Sequence, residues 1–311
     1  MNKKLIVLFF VGILISLSNF AQKTEIIKEP KRILNDANEL FNEKKYALAY
    51  QLYLDYISIS NNVDSKELED AYYFKAICGA NLSNNDADIL FSDFIRLYPN
   101  SSKVNNAHFY LANYYQGQNN FQQAIRTFKQ IDEKGLTKDQ QQEYNYKLGY
   151  CLFNIQDFDS AKDYFSKVKD ALSKYSSPAT YYYGHILYNE KKYDAALREF
   201  NSMKNDKNFK GIVPYYIVQI YYLQGNYKEL IKNSKELSEN SNSKRSSETN
   251  RMLGEAYCKL ERYEEAIPYL EKGVKDNPAA SAEDNYLLGF TLCRNEKYLD
   301  AIPFLSKAID N

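Results

Sequence analysis

Apolar residues recur along most of this chain at spacings of three and four, the period that places them on one face of an α-helix. Phe158, Ala161 and Phe165 are one example. Short polar segments such as 154–157 and 189–192 interrupt the pattern, and the strict alternation of a β-strand is not sustained anywhere. The pattern predicts an all-α chain of paired amphipathic helices.

An aromatic residue followed three positions later by a small residue marks a repeated unit. The second place of this signature falls at residues 49, 87, 124, 161, 196, 230, 266 and 301, so that successive copies lie 34 to 38 residues apart. Another small residue recurs eleven or twelve positions earlier, with Val218 as the exception. This period is typical of stacked helix pairs, and it predicts about eight copies with longer loops between them.

The small residues allow close helix packing in such a unit. Gly149 and Ala161 let two helix backbones approach closely, and Phe158 and Phe165 fill the space beside that contact. One helix pair cannot bury its apolar face alone, whereas stacked pairs share a continuous core. The sequence therefore predicts an α-solenoid.

The pattern of small, aromatic, Ala and large apolar residues resembles the tetratricopeptide repeat. The resemblance covers residues 30–311 as about eight copies and implies a right-handed superhelix. The segment from Tyr98 to Ala112 is also similar to repeats of periplasmic proteins in outer-membrane assembly and cell-division coordination. In the sixth copy Ser234 replaces a large residue, and the polar segment 236–249 follows. We expect a thin core and a flexible seam there.

The N-terminus has the order of a secretory signal peptide. Two lysines precede the apolar run Leu5–Leu17, and a short polar segment ends at Ala21. The apolar run is shorter than the ~20 residues of a membrane span. We expect a signal peptide at residues 1–21 and an exported, periplasmic chain at 22–311 with no membrane span after cleavage. An uncleaved N-terminal anchor is the alternative.

Composition and motifs argue against a catalytic function and against nucleic acid as a partner. The 40 basic residues balance the 40 acidic ones, so no excess of positive charge favours nucleic acid. No phosphate-binding glycine loop or nucleophile elbow is present, and His108 and His185 lie in different copies. We expect no enzyme, no cofactor and no metal site. The four cysteines lack a C-x-x-C spacing and are predicted to be small buried residues rather than a disulfide framework.

The resemblance implies that the first helix of each pair lines a concave groove. The third residue before the small one, the residue after it and the fourth after it would face this groove. The lysine that carboxylate-clamping members of the family use there is missing. Many of these rings could instead pack between neighbouring helices. In copies four to six the positions are mainly aromatic, which suits an extended or helical peptide: Tyr146, Tyr150, Phe153, Tyr181, His185, Tyr188, Tyr215 and Tyr222.

Two functions remain open at this point. The first is a protein-interaction scaffold of the bacterial cell envelope, in an outer-membrane-associated complex for assembly, secretion or motility. The second is a regulatory or targeting module of a longer protein whose catalytic or peptidoglycan-binding domain follows residue 311. The eighth copy lacks a polar capping helix after Ile309, which favours a longer protein over a partner that covers this end. The partner and the oligomeric state stay open.

Overall fold

The computed structural model describes residues 29–60, 65–234, 237, 243–275 and 280–309. Within these ranges the chain forms sixteen α-helices, one short 3-10 helix and no β-strand. The prediction of an all-α chain is therefore confirmed. The predicted signal peptide at residues 1–21 lies outside the described residues, and so do positions 236 and 238–242 of the predicted seam.

The chain divides into two compact units, Met1–Leu111 and Ala112–Asn311, and the division falls inside helix α5. The helices before and at this division are α1 (Pro30–Asn42), α2 (Tyr46–Ile59), α3 (Lys66–Asn81), α4 (Ala87–Leu97) and α5 (Val104–Gly117). The helices after it are α6 (Phe121–Phe128), α7 (Lys138–Asn154), α8 (Phe158–Ser166), α9 (Ser176–Asn189), α10 (Tyr193–Ser202), α11 (Val213–Leu223), α12 (Tyr227–Ser234), α13 (Ser243–Lys259), α14 (Tyr263–Lys275), α15 (Ala282–Arg294) and α16 (Tyr298–Ile309).

The helices of the second unit pack as successive pairs. Helix α7 packs against α8, and the same holds for α9 with α10, α11 with α12, α13 with α14, and α15 with α16. The second helix of one pair then contacts the first helix of the next, as α8 contacts α9 and α14 contacts α15. First helices also touch one another, as in α7 with α9 and α11 with α13. This is the packing of an α-solenoid.

The turn inside each helix pair passes through one residue in the left-handed region. The amide after it donates to the carbonyl five residues back, for example Asn120 to Tyr115 (2.9 Å) and Asp157 to Leu152 (3.0 Å). Such a bond closes a helix C-terminus and favours glycine at the turn. Only the sixth pair uses glycine, Gly225 (φ 66°), and the other turns use Lys44, Ser83, Asn119, Gln156, Lys191, Glu261 and Glu296 (φ 56° to 64°).

The predicted close approach of paired helices is confirmed. A Cβ atom added at Gly149 would lie 3.0 Å from Cε1 of Phe165, and one at Gly184 would lie 3.0 Å from Cε1 of Phe200. Both phenylalanines are fully buried. Glycine at these positions therefore makes room for the large residue of the second helix.

The structure describes part of the predicted polar seam at 236–249. Helix α13 begins at Ser243, so that the second half of the predicted seam is helical. Ser234 is only 1% exposed, and its hydroxyl donates to the carbonyl of Ile231 (3.0 Å). A core cluster that includes Leu230, Leu237 and Met252 surrounds this region. Residues of α12, the connection and α13 thus form a packed core beside Ser234, contrary to the expectation of a thin core, whereas the flexibility of the seam stays a prediction.

Candidate interaction groove

The eight residues predicted to face the groove lie on three first helices of successive pairs. Helix α7 carries Tyr146, Tyr150 and Phe153, helix α9 carries Tyr181, His185 and Tyr188, and helix α11 carries Tyr215 and Tyr222. Spacings of three, four and seven place the members of each helix on one face. All eight side chains are half-buried. We call these eight residues the aromatic stripe.

Helices α7 and α9 meet through the rings of the stripe. The ring centroids of Phe153 and His185 are 5.5 Å apart. Tyr182 lies between the two helices, 4.9 Å from Phe153 and 5.4 Å from Tyr150. Contacts at these distances are within the range in which aromatic rings attract one another. The stripe therefore continues from one helix pair to the next.

Helices α9 and α11 meet around Tyr216. The ring centroid of Tyr216 lies 5.4 Å from that of His185, 5.5 Å from Tyr188 and 6.2 Å from Tyr181. Tyr216 also stacks on the buried ring of Phe200, with centroids 5.4 Å apart and planes inclined by 17°. The buried core of the α9–α10 pair thus holds in place the Tyr216 ring, which connects the stripe residues of α9 with α11.

Sequence reasoning missed Tyr182 and Tyr216, although a signal for them exists. Tyr182 lies two positions before the small residue Gly184, and Tyr216 lies at the equivalent place before Val218, as Phe74 and Tyr110 do in earlier copies. Tyr182 stacks on Phe165 at 5.5 Å, as Tyr216 stacks on Phe200. The recurrence marks an aromatic contact between a second helix and the next first helix.

Two hydroxyl groups of the stripe donate to carboxylates of the next first helix. Tyr215 Oη donates to Glu248 Oε2 and Tyr222 Oη to Glu255 Oε2, both at 2.6 Å. Burial, and then the bond to Glu248, raises the pKa of Tyr215, and burial with the bond to Glu255 raises the pKa of Tyr222 to about 12. Both tyrosines are therefore protonated donors at neutral pH.

Connecting segments cover two rings of the stripe. Tyr146 stacks on Tyr175, which precedes α9, with ring centroids 5.3 Å apart. Tyr181 stacks on Phe209, which lies between α10 and α11, at 5.0 Å. One face of each of these two rings is thus covered by the protein's own packing. Tyr150, Phe153, Tyr188 and Tyr222 make the contacts with other stripe residues, Tyr182, Tyr216 and Glu255 that are described above.

His185 lies among rings rather than among charged groups. Its ring contacts those of Phe153, Tyr188 and Tyr216, and its Nδ1 is 3.3 Å from Nδ2 of Asn189. Burial lowers the pKa of His185. The imidazole is therefore neutral at pH 7 and serves as one more flat ring in the stripe.

The thiols and candidate metal ligands are dispersed in the part of the chain that the structure describes. No group of three His, Cys, Asp or Glu side chains there is arranged to hold a metal ion. All four cysteines are free thiols, and burial raises the pKa of Cys78 and of Cys151 to about 12. Of the helices in the described ranges, none combines the length and the apolar character that a bilayer crossing requires.

Comparisons with known proteins identify the repeat. Two models of the tetratricopeptide repeat match this chain, one at residues 109–176 and one at residues 251–279. The chain finds no significant match among curated proteins. Proteins built from this repeat are generally non-catalytic protein-interaction modules.

Solved structures with a similar arrangement of helices include YrrB and MamA. YrrB, described as a TPR protein with an unusual peptide-binding site, is 17% identical with a TM-score of 0.49, covering 60% of this chain and 92% of its own. MamA AMB-1 is 17% identical with a TM-score of 0.49, and the match covers 56% of this chain and 92% of the MamA chain. MamA from Desulfovibrio magneticus RS-1 is 16% identical with a TM-score of 0.44 and coverages of 55% and 94%. From the family matches, the chain carries tetratricopeptide repeats at residues 109–176 and 251–279.

Proposed function

We propose that this protein is a non-enzymatic scaffold that holds partner proteins against the aromatic stripe of α7, α9 and α11. The observation that carries this proposal is the continuous contact of half-buried rings across three successive first helices, with Tyr182 and Tyr216 at the two junctions. A tyrosine combines a large apolar ring with a hydrogen-bonding hydroxyl and loses little entropy when it is fixed.

The ligand proposed for this stripe is a peptide segment of a partner protein, extended or helical. The rings offer apolar contact along the segment, and the carboxylates of Glu248 and Glu255 offer acceptors beside Tyr215 and Tyr222. These two tyrosines are seven residues apart on α11, about 10 Å along a helix axis. A helical partner segment presents side chains on one face at the same spacing of seven residues.

We place this scaffold in the bacterial cell envelope, in an outer-membrane-associated complex for assembly, secretion or motility. The charged, apolar and polar order of residues 1–21 supports export to the periplasm. Secretion of the full chain followed by N-terminal sequencing tests this location. A mature protein that begins at Gln22 in the periplasmic fraction is expected, and a cytoplasmic protein that begins at Met1 would contradict it.

Substitution within the stripe tests the binding proposal. We expect Tyr188→Ala and Tyr222→Ala each to weaken capture of envelope partners by about tenfold or more, because hot-spot rings at interfaces carry about 2 kcal/mol. Tyr183→Ala is the matched control, since Tyr183 is also half-buried on α9 but has Lys169 Nζ over its ring, 5.3 Å from the ring centre, and is not in the stripe. Quantitative mass spectrometry of captured proteins gives the readout.

The control also separates binding from folding. All three variants should keep the helical circular-dichroism signal of the unsubstituted protein. If the two stripe variants and Tyr183→Ala capture the same partners in equal amounts, the stripe is not the binding surface.

A further inference from the structure

Helix α13 continues the row of stripe positions with charged side chains instead of rings. Glu255 occupies the position on this helix that Tyr150 and His185 occupy on α7 and α9. Arg251 occupies the position that Tyr215 occupies on α11. The side chain of Glu255 is 21% exposed and that of Arg251 is 38% exposed, so that both reach the surface. The aromatic stripe therefore borders on charged groups at α13.

Three carboxylates lie at this end of the stripe. Glu248 and Glu255 each accept one hydroxyl group of the stripe through Oε2, at 2.6 Å. Asp284 of α15 uses Oδ2 to cap the start of its own helix, and its Oδ1 lies 3.9 Å from Nε of Arg251. A carboxylate has about four acceptor sites. Glu248 and Glu255 therefore keep the capacity to accept a further donor from a ligand.

Two arginines on α13 partly balance these three negative charges. Arg251 is shared between two carboxylates, with Nη1 3.9 Å from Glu255 Oε2 and Nε 3.9 Å from Asp284 Oδ1. Both distances exceed that of a hydrogen bond. Arg245 lies over the ring of Tyr215, with its guanidinium carbon 5.9 Å from the ring centre. Together these five groups carry one net negative charge.

The opposite end of the stripe has a different balance of charge. On α7, Nζ of Lys147 lies 2.8 Å from Oε1 of Glu143 and donates to Oδ1 of Asn113 at 2.9 Å, so that this pair is neutral. Lys174 adds a positive charge there, with Nζ 4.9 Å from the centre of the Tyr175 ring. The stripe therefore has an electrostatic direction, with its negative end at α13.

We propose that the partner segment held by the stripe carries a basic side chain beside Tyr222 and the carboxylates of Glu248 and Glu255. This inference rests on the proposed function, because it names the chemistry of the segment that the same surface binds. A lysine or arginine gains charge-assisted hydrogen bonds with the carboxylates and a favourable contact with a tyrosine ring. Arg245 over Tyr215 shows that a guanidinium fits on a ring of the stripe. The same carboxylates repel an acidic segment.

Selection from a random library of displayed peptides, each about twelve residues long, tests the charge of the ligand. The informative peptides are those that the unsubstituted chain retains and Tyr188→Ala releases, because they bind at the stripe. In these peptides we expect Lys and Arg to exceed Asp and Glu by at least about threefold relative to the unselected library. Equal or acidic enrichment would overturn this inference and leave the proposed function intact. A library that yields no stripe-dependent peptide would overturn both.

Variants that change one charge test where the basic side chain lies, with a selected basic peptide titrated by fluorescence anisotropy. Glu255→Gln keeps an oxygen acceptor for Tyr222 but removes the negative charge, and it should weaken binding about threefold to tenfold. Arg251→Gln removes a competing cation and should strengthen binding by a similar factor. Glu264→Gln is the matched control, since Glu264 is exposed at the first turn of the second helix α14, and it should bind as the unsubstituted chain does.

Two further results would overturn the proposal. The first is that the changes at 251, 255 and 264 have equal effects on binding, in variants whose circular-dichroism spectra show that all three are folded. The second is an affinity that stays constant between about 50 and about 500 mM sodium chloride, because salt screens ion pairs at a surface.

Discussion

The contact between Gly254 and Leu270 gives a prediction whose size follows from the structure. A Cβ atom at Gly254 would overlap Cγ and Cδ2 of Leu270 and would lie 3.2 Å from the backbone nitrogen of Leu270. Leu270 is 3% exposed in the core cluster of α13 and α14. Gly254→Ala therefore places a methyl group in space that Leu270 occupies. Because the backbone nitrogen of Leu270 is also close, a movement of the end of its side chain does not relieve the overlap.

The expected cost combines two opposing effects. Adding a methyl group to a packed core costs about 1 to 3 kcal/mol. Replacing glycine by alanine inside a helix returns about 0.5 to 1 kcal/mol. We expect Gly254→Ala to lower the free energy of unfolding by about 1 to 2 kcal/mol. Gly117→Ala is the control, because a Cβ atom at Gly117 meets nothing within 4 Å, and it should not destabilise.

Urea unfolding measures this difference, and native-state hydrogen exchange of α13 and α14 locates it. A second test uses Leu270→Ala, which costs about 2 to 5 kcal/mol alone. When Gly254→Ala is already present, Leu270→Ala should cost less, because it removes the Leu270 atoms that overlap the new Cβ atom. If Gly254→Ala is as stable as Gly117→Ala, or if the two changes at 254 and 270 are additive, the close approach does not determine the residue at Gly254.

Three further predictions concern the turn, the stripe and pH. Glu261→Gly should raise the free energy of unfolding by about 0.5 to 1 kcal/mol in urea titration, because the left-handed φ of 57° costs a non-glycine residue about 1 to 2 kcal/mol; an unchanged or lower stability would contradict this. Tyr222→Phe removes the donor to Glu255 and should cost about 1 kcal/mol in the same assay, whereas an equally stable variant would mean that water replaces the bond at no cost. Burial lowers the pKa of His185 from its usual value of 6.5. Below pH 6.5 the unfolded chain therefore binds more protons than the folded chain. The stability contributed by the neutral ring is present above pH 6.5 and is lost as the pH falls below that value. His185→Phe should therefore make the loss of stability between pH 7.5 and about pH 5.5 smaller, and identical pH profiles for the two proteins would refute this assignment.

The fold could be predicted from the sequence because the determining interactions are local and repeated. Gly149 and Phe165 occupy fixed places in the unit, and the structure brings them into contact as expected. Longer loops between the copies were also expected, and the structure has them. The thin core expected beside Ser234 was wrong, because composition alone does not show how a segment packs. Ser234 is buried beside a connection that supplies Leu237, and a single polar residue does not indicate a missing core.

The aromatic stripe could be predicted only in outline. The positions on α7, α9 and α11 followed from the periodicity and the family resemblance, but the rings that connect the helices did not. Tyr182 and Tyr216 were missed because they stack on phenylalanines of a different helix, and a contact across that distance in the sequence is not visible in the spacing of one helix. Likewise, the carboxylate that accepts from Tyr215 belongs to α13.

The turns and the connections differ in a way that determines where this chain can change its length. Inside a pair the turn has three residues between most helices, such as 155–157 and 190–192, whereas the segments between pairs are longer and vary, as in 129–137 and 203–212. Residues inserted between pairs would alter the tilt of one pair on the next and leave each hairpin intact. The same insertion inside a hairpin would rotate a first helix and turn its aromatic residues out of line with their neighbours. Natural variants of this chain should therefore gain and lose residues almost entirely in the segments between pairs, which an alignment of homologous sequences would reveal.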